Sequence, residues 1–259
     1  MKAPWASLTD AHGAFRIFGE LHWDFRRILF RRLSMNIEPI AHIHTDFDEK
    51  FGIPRQSGRV RSLTGRVVFV PEYRNSEALR GIDGFSHLWL LFDFSLAHRE
   101  EWSPTVRPPR LGGNMRVGVF ASRSPFRPNS IGLSCVRLER VEKTPDEGDV
   151  LIVYGVDLLD MTPIYDIKPY IPYADCHEDA VGGYADSESG HRLEVVFPDE
   201  MLELIPDEKR QAAADCLADD PRPAYQNDPA RIYSMAFAGF DIRFRVDGDV
   251  LRVTEVVRR

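Results

Sequence analysis

The stretch from Arg107 to Gly132 carries residue types that are suited to binding an anion. The wider segment Ser103–Leu138 contains no aspartate or glutamate, although the whole chain has a net charge of −7. Its arginines are Arg107, Arg110, Arg116, Arg123, Arg127 and Arg137. An arginine guanidinium is a planar fork that matches a carboxylate or a phosphate. Prolines and paired glycines favour a rigid, irregular backbone here, so we expect an anion-recognising loop. The alternative is a solvated basic face without a ligand.

Two further irregular segments carry candidate contacts. Pro54–Gly58 contains Arg55 and Gln56 and lies near the start of the expected fold. Asp166–Tyr173 is held extended by two prolines and offers charged and tyrosine side chains. Aromatic residues interleaved with basic ones can stack on unpaired bases. They can equally pack against the end of a barrel, and the residues alone leave both interpretations open.

Several common kinds of site are not indicated. The three cysteines form no CxxC pair, and His42 and His44 have no identifiable third ligand, so we expect no metal. His87, at the start of an apolar run, is more typical of a core residue than of a catalyst. The sequence has no GxSxG motif, no Walker loop and no GxGxxG after a strand, which argues against a Rossmann-type nucleotide site.

The elements that must position these residues are short strands separated by glycine and proline turns. This spacing predicts a mainly β fold with a small, closed or nearly closed barrel over residues 35–178. The predicted strands are Ile40–His44, Arg66–Val70, His87–Phe94, Gly118–Ala121, Ile131–Val141, Val150–Leu159 and Arg192–Phe197.

Residues 179–259 have a different pattern, which predicts a small α+β domain after a loop-like boundary at Gly182–Gly190. Helical spacing covers Asp199–Ile205 and Asp207–Ala218. Two strands, Ile232–Val246 and Val250–Val257, are expected to be joined by a turn at Asp247–Asp249.

Composition is typical of a globular protein. The chain has 259 residues, of which 43% are hydrophobic, so it can bury a core. No apolar run approaches the roughly 20 residues of a membrane helix, so no membrane partner is expected. Three cysteines without a secretory signal favour the cytoplasm. Residues 1–34 contain acids that a targeting peptide would lack, and we interpret them as a poorly ordered N-terminal extension.

Seven segments, in this order, resemble the TsaA-like family. They run from near Ile37 almost to the C-terminus, and the fourth is close to a family signature by itself. They are Pro54–Gly58, Gly84–Trp89, Thr105–Asn114, Gly118–Gly132, Asp157–Pro163, Asp166–Tyr170 and Asp220–Tyr225.

The resemblance implies a β-barrel with a C-terminal α+β domain, assembled as a homodimer. It implies an enzyme that uses S-adenosylmethionine, bound without a Rossmann fold. The implied substrate is threonine-accepting tRNA, whose adenosine 3′ of the anticodon already carries threonylcarbamoyl. The implied reaction is methylation of N6 of that adenosine. No metal is implied.

The resemblance also implies site residues. The cofactor-binding residues carried over are Pro54, Arg55, Gln56, Ser95, Leu96, Arg123, Leu133, Tyr154, Gly155, Val156 and Asp157. The substrate-binding residues carried over are Arg127, Lys168, Tyr170, Asp220, Pro221, Arg222, Pro223 and Tyr225. Asp157, Asp160 and Asp166 lie near the implied pocket in sequence, but no residue is assigned as catalytic.

Two positions depart from the family pattern, and two other functions stay open. Met161 stands where the family often has glycine, and Ser130 where proline is frequent. A non-catalytic RNA-binding barrel could use the same arginines for phosphate. An enzyme acting on a small anionic nucleotide is a third interpretation, against which the Asp220–Tyr225 segment argues.

Overall fold

The computed structural model describes residues 36–108, 115–188, 191–223, 226 and 228–259. The expected extension at 1–34, together with Arg110 and Tyr225, lies outside the described residues. By its internal contacts the chain divides into Met1–Glu38 and Pro39–Arg259. The second unit carries every element described below.

Six strands form the first sheet, in the order β1-β2-β7-β6-β3-β8. The strand β8 also pairs with β1, so the sheet closes as a barrel. Their ranges are β1 Ala41–His44, β2 Thr64–Phe69, β3 His87–Asp93, β6 Ile131–Thr144, β7 Gly148–Tyr154 and β8 Thr162–Pro169. All pairings within the closed sheet are antiparallel.

Side chains from alternate positions of these strands fill the interior of the barrel. Along β3 buried and partly exposed residues alternate strictly, because successive side chains of a strand point to opposite faces. Leu88 and Leu90 are fully buried and belong to the same apolar cluster as Val136 of β6 and Ile164 of β8. The opposite face of β3 therefore carries His87, Trp89 and Asp93 outward.

A second sheet follows in the order β10-β11-β12-β9. Its strands are β9 Glu194–Val196, β10 Tyr233–Phe237, β11 Phe240–Asp247 and β12 Val250–Arg258. Within the described residues the α-helices are α1 Pro172–Asp175, α2 Asp199–Leu202 and α3 Asp207–Ala218. A two-stranded ribbon pairs β4, Thr105–Val106, with β5, Val117–Gly118.

Among the residues described, no helix is both long enough and apolar enough to cross a lipid bilayer.

The mainly β class and most predicted elements are confirmed, including α3 at its predicted limits. Three expectations are wrong. Ile232–Val246 is two strands, because the chain turns at Ala238–Gly239, both with positive φ. Gly118–Ala121 is mainly a 3-10 turn, Val119–Ala121. Val150–Leu159 ends as a strand at Tyr154, because Gly155 takes a φ of 75°.

One glycine of the longest family-like segment is required by packing. Gly132 pairs with Phe92 across β3 and β6, and a Cβ at this position would overlap the Phe92 ring. Phe92 is buried in the barrel core, so the ring cannot swing into solvent. The close approach of ring and backbone explains why glycine occupies this position.

We expect Gly132→Ala to destabilise the protein by about 1–3 kcal/mol, the usual cost of forcing extra atoms into a packed core. Denaturant unfolding monitored by circular dichroism measures this change. Gly118→Ala is the matched control, because a Cβ at Gly118 would have nothing within 4 Å. Equal stabilities for the two variants would contradict the packing role of Gly132.

Candidate functional site

The loop after Pro54 is fixed to the barrel by two strands. The Gly58 N–H donates to the carbonyl of Gly155, at 2.9 Å. The Cys135 N–H donates to Ser57 Oγ, at 3.1 Å. The loop therefore lies between the start of β6 and the end of β7. Pro54 itself is buried.

A carboxylate lies beneath this loop. Ser134 Oγ, which is buried, donates to Asp157 Oδ1 at 2.6 Å. Burial raises the pKa of Asp157 to about 6, against the opposing effects of the Ser134 hydroxyl, backbone N–H groups at Asp157 and Ser57, and the positive charge of Arg123. Asp157 therefore changes charge close to neutral pH.

The longest family-like segment reaches the same place. Arg123 Nη1 donates to Gln56 Oε1. Its guanidinium also acts electrostatically on Asp157. The structure thus brings together Gln56, Arg123 and Asp157, three predicted site residues that are far apart in sequence. We call Gln56, Arg123, Ser134 and Asp157 the Asp157 cluster.

The remaining predicted cofactor residues occupy different surroundings. Gly155 and Val156 form the turn after β7, and Val156 is in the core. Tyr154 lies under the guanidinium of Arg137, at 5.1 Å from the ring centre. Ser95 is exposed, as are Leu96 and Leu133.

The segment containing Arg222 lies against the same loop. Arg55 Nη2 donates to the Arg222 carbonyl at 2.6 Å. Arg59 binds the Asp219 carboxylate through Nε and Nη2, each at 2.6 Å from Oδ1. Asp220 takes a positive φ of 52° at the start of the predicted substrate segment. The loop that carries predicted cofactor residues therefore also holds this segment.

Arg222 is more enclosed than its predicted role in facing tRNA suggests. Its Nε and Nη2 donate to the two carboxylate oxygens of Asp220, at 2.9 and 3.1 Å. Burial acts to raise the pKa of Asp220, but the hydrogen bonds and charge of Arg222 outweigh it and lower that pKa. Arg222 Nη1 is buried and has no hydrogen-bond partner in the described structure. Pro221 and Pro223 are half-buried beside it.

Three other predicted substrate residues have local partners. Arg127 donates to the Ser122 carbonyl at 3.2 Å. Lys168 pairs with Asp166 at 2.8 Å. Tyr170 packs on Trp89, with ring centres 5.7 Å apart. Tyr170 therefore packs on the outer face of the barrel and not, as the packing alternative predicted, at its end, and Tyr173 is 91% exposed.

Sequence reasoning missed the residues that support the site. Ser57 lies inside the predicted Pro54–Gly58 segment but was given no role there, and Ser134 is a single serine whose partner Asp157 lies 23 residues away, so no local pattern marks it. Arg59 follows the predicted loop directly, and Asp219 directly precedes the predicted substrate segment, so adjacency was the only available signal. Within the described residues, no group of three or more histidine, cysteine, aspartate or glutamate side chains could hold a metal ion.

The raised pKa of Asp157 gives a testable pH dependence. Its folded-state pKa of about 6 exceeds the usual unfolded value of roughly 3.9, so the folded protein binds this proton more tightly. The stabilising contribution of this group is therefore fully present below about pH 4 and is lost as the pH rises to about 6. Asp157→Asn should remove this loss, on the order of 3 kcal/mol.

Chemical unfolding of the wild type and Asp157→Asn at several pH values between 4 and 7.5 measures the difference. Asp166→Asn serves as the control, because Asp166 carries a comparable carboxylate on the partly exposed face of β8. Parallel stability curves for the wild type and Asp157→Asn would contradict the raised pKa.

The fold and the site define a mainly β protein with a closed sheet, in which an arginine and a buried carboxylate meet beneath one loop. Comparison with known proteins narrows this class. The tRNA-methyltransferase O N-terminal domain matches residues 42–176, and the TrmO C-terminal domain matches residues 191–259. The chain therefore belongs to the TrmO family, and its resemblance to TsaA-like proteins is confirmed.

Individual relatives agree with this assignment. A tRNA (adenine(37)-N6)-methyltransferase of Escherichia coli K12 is 42% identical over 82% of this chain and 94% of its own. A putative S-adenosylmethionine-dependent methyltransferase, RcsF, of Pseudomonas aeruginosa is 40% identical over 86% of this chain and 98% of its own. The crystal structure of TrmO from Pseudomonas aeruginosa superimposes with a TM-score of 0.70 at 34% identity, covering 87% of this chain and 100% of that one.

Proposed function

We propose that this protein is an S-adenosylmethionine-dependent methyltransferase that methylates N6 of adenosine 37 in tRNA. The proposal is supported by matches to both family domains and by relatives that are named for this activity. The structural observation that carries it is the shared loop, through which Arg55 binds the Arg222 carbonyl, Arg59 binds Asp219 and Gln56 contacts Arg123. The residues proposed for the cofactor are thus joined to the segment proposed for the substrate.

The chemistry of the Asp157 cluster fits S-adenosylmethionine. Arg123 offers a guanidinium for the carboxylate of the methionine part. Asp157 offers a carboxylate for the ammonium or for a ribose hydroxyl, because a carboxylate has about four acceptor sites on its two oxygens. Gly155 and Val156 form a wall beside them. Pro54, Arg55, Ser95, Leu96, Leu133 and Tyr154 complete the proposed cofactor set.

When bound, S-adenosylmethionine supplies an electrophilic methyl group on a sulfonium. The protein's own contribution is then mainly to orient the two reactants, because attack must occur in line with the breaking bond. Arg123 and Asp157 would fix the donor. The Asp220–Tyr225 segment would present the adenine, with its backbone set by Arg55 and Asp220. Rigid positioning of this kind can supply much of the rate.

More specifically, we propose that the substrate is threonine-accepting tRNA whose adenosine 37 already carries threonylcarbamoyl. An added threonyl group brings a carboxylate, and the acid-free segment around Arg127 offers guanidinium groups for it. The anticodon loop is single-stranded, so the base can be held without opening a duplex. Lys168, Tyr170, Pro221 and Pro223 complete the proposed substrate set, and we propose a cytoplasmic homodimer.

Mass spectrometry of tRNA nucleosides from a deletion strain tests the activity. We expect the methylated threonylcarbamoyladenosine to disappear while its unmethylated precursor accumulates. Unchanged methylated nucleoside, in a strain without a redundant enzyme, would contradict the proposed function. Calorimetry with S-adenosylmethionine separates the enzyme from a non-catalytic RNA-binding barrel, which should bind none.

We also propose that residues 1–34 are an extension to a barrel domain, 35–178, and an α+β domain, 179–259. The family match begins at residue 42, which supports this division. A variant lacking residues 1–34 should retain methylation activity within about twofold of the full chain, because the proposed site uses none of them. A folded truncation with no activity would overturn this interpretation.

A further inference from the structure

Two large aromatic side chains lie in contact on the surface beside the ribbon β4–β5. Phe120 is 74% exposed and Trp102 is 52% exposed. Their ring centres are 6.2 Å apart, with 32° between the ring planes. Large apolar groups that remain exposed side by side are characteristic of interaction sites, because burial would otherwise be favourable. We call Trp102 and Phe120 the aromatic pair.

The backbone holds the aromatic pair rigidly. Phe120 is in the 3-10 turn Val119–Ala121, whose first residue is buried. The Val119 N–H donates to the Pro104 carbonyl at 2.9 Å, which joins this turn to the segment carrying Trp102. Ser122 Oγ donates to the Val119 carbonyl at 2.9 Å and closes the turn. The two rings are therefore presented by a fixed surface.

The turn also connects the aromatic pair to the proposed active site. Arg123 follows Phe120 by three residues and contacts Gln56. One short turn therefore joins Phe120 to a member of the Asp157 cluster. The neighbouring Phe126 has the guanidinium of Arg99 over its ring, at 3.7 Å from the centre. Aromatic and cationic groups thus alternate along this edge.

The charge around the pair favours a polyanion. Segment Ser103–Leu138 contains arginines and no acidic residue. Glu100 and Glu101 precede Trp102 and are exposed, so the acids nearest to Trp102 in the chain lie on its N-terminal side. A twofold contact between two copies would place this arginine-bearing surface against itself. An RNA strand instead supplies phosphates for the arginines and base faces for the rings.

We propose that Trp102 and Phe120 form a stacking platform for unpaired anticodon-loop bases next to the adenosine that enters the active site. The inference rests on the proposed function and assigns two residues to it. Stacking requires an aromatic face and tolerates any base, so this platform adds affinity and position without reading sequence. Recognition of the modified adenosine would be left to the Asp157 cluster and the Asp220–Tyr225 segment.

Binding of a fluorescently labelled anticodon stem-loop RNA to the full-length protein tests the platform. Phe120→Ala and Trp102→Ala should each weaken binding by about 5- to 150-fold, the loss expected when one stacked base loses its aromatic partner. S-adenosylmethionine affinity should stay unchanged in both variants. Tyr73→Ala is the matched control: Tyr73 is 44% exposed between Glu72 and Glu77, and its loss should not affect RNA binding.

Conservative variants separate stacking from simple apolar contact. Phe120→Tyr should retain RNA affinity, whereas Phe120→Leu, which keeps apolar bulk without an aromatic face, should lose it. RNA affinity retained by Phe120→Leu would overturn the platform. So would sedimentation showing that Phe120→Ala converts a dimer to a monomer with RNA affinity intact, since the pair would then contact a second copy.

The same experiment separates failure of the platform from failure of the proposed function. Wild-type protein that binds the stem-loop through the aromatic pair but leaves its adenosine unmethylated would refute the activity and keep the platform. Methylation by Phe120→Ala and Trp102→Ala with unchanged KM and unchanged RNA affinity would refute the platform and keep the activity.

Discussion

Replacing Arg123 with alanine is expected to weaken S-adenosylmethionine binding by about 10- to 100-fold. A hydrogen bond between a charged donor and a charged acceptor contributes about 1.5–3 kcal/mol, and loss of one such bond corresponds to that range. Arg123 is the arginine of its segment that contacts Gln56 and acts on Asp157, so it is the one placed to meet the ligand carboxylate. Arg123→Lys should recover part of the loss.

Isothermal titration calorimetry measures this effect directly. Arg116→Ala is the matched control, because Arg116 belongs to the same acid-free segment but donates to Thr105 Oγ1 on the ribbon. Its cofactor affinity should equal that of the wild type. An unchanged dissociation constant for Arg123→Ala would remove Arg123 from the pocket.

Loss of Arg123 should also change the titration of Asp157. The positive charge of Arg123 lowers the pKa of Asp157 against the effect of burial. Without that charge, the pKa should rise above its value of about 6, and the carboxylate should be protonated over more of the neutral range. A titration of Asp157 followed by nuclear magnetic resonance would detect the shift, independently of ligand binding.

The sequence predicted the local features of this site better than its assembly. Gln56 and Arg123 lie in irregular segments that proline, glycine and arginine make conspicuous, whereas Asp157 was assigned through the family resemblance and was predicted inside a strand. Ser134 was not identified, because a serine in an alternating strand looks like any inward-facing small residue. Its role appears only when β6 and β7 bring it beside Asp157.

For the fold, too, local elements were predicted better than the long-range pairing of strands. The apolar run His87–Phe94 predicted β3 closely, and Ile131–Val141 predicted most of β6, since such patterns are local. Strand β8 was not predicted, because Pro163 and Pro169 interrupt its pattern and the ladder shifts register at Leu91/Phe92. Met161, where glycine is frequent in the family, takes a φ of 61° just before β8, so the turn keeps the left-handed geometry that glycine would favour.

The contact between the Pro54–Gly58 loop and the proposed substrate segment depends on residue pairs that no sequence pattern predicts. Arg59 and Asp219 are 160 residues apart and form a largely enclosed ion pair, with side chains 20% and 6% exposed. Ser62 Oγ donates to Asp215 Oδ2 at 2.6 Å and adds a second link. Asp219 is the C-cap of α3 and immediately precedes Asp220, so Arg59 fixes where the proposed substrate segment begins. We infer that Arg59 is a positioning residue for that segment.

Arg59→Met should therefore reduce kcat/KM for tRNA by about tenfold or more while leaving S-adenosylmethionine affinity unchanged. It should also destabilise the protein by about 3–5 kcal/mol, because Asp219 is left enclosed without its partner. Lys209→Met is the matched control. Lys209 binds Asp46 at 2.7 Å and likewise joins α3 to the barrel side, but it lies away from Asp220.

Steady-state methylation well below both melting temperatures separates positioning from stability. Both variants should lose stability, and only Arg59→Met should lose kcat/KM, because a misplaced segment raises the barrier even in a folded protein. Arg59→Lys should restore stability more fully than activity, since a lysine replaces the charge but not the two-nitrogen grip on Asp219. Equal kinetic losses in Arg59→Met and Lys209→Met would mean that the Arg59–Asp219 pair only stabilises the fold.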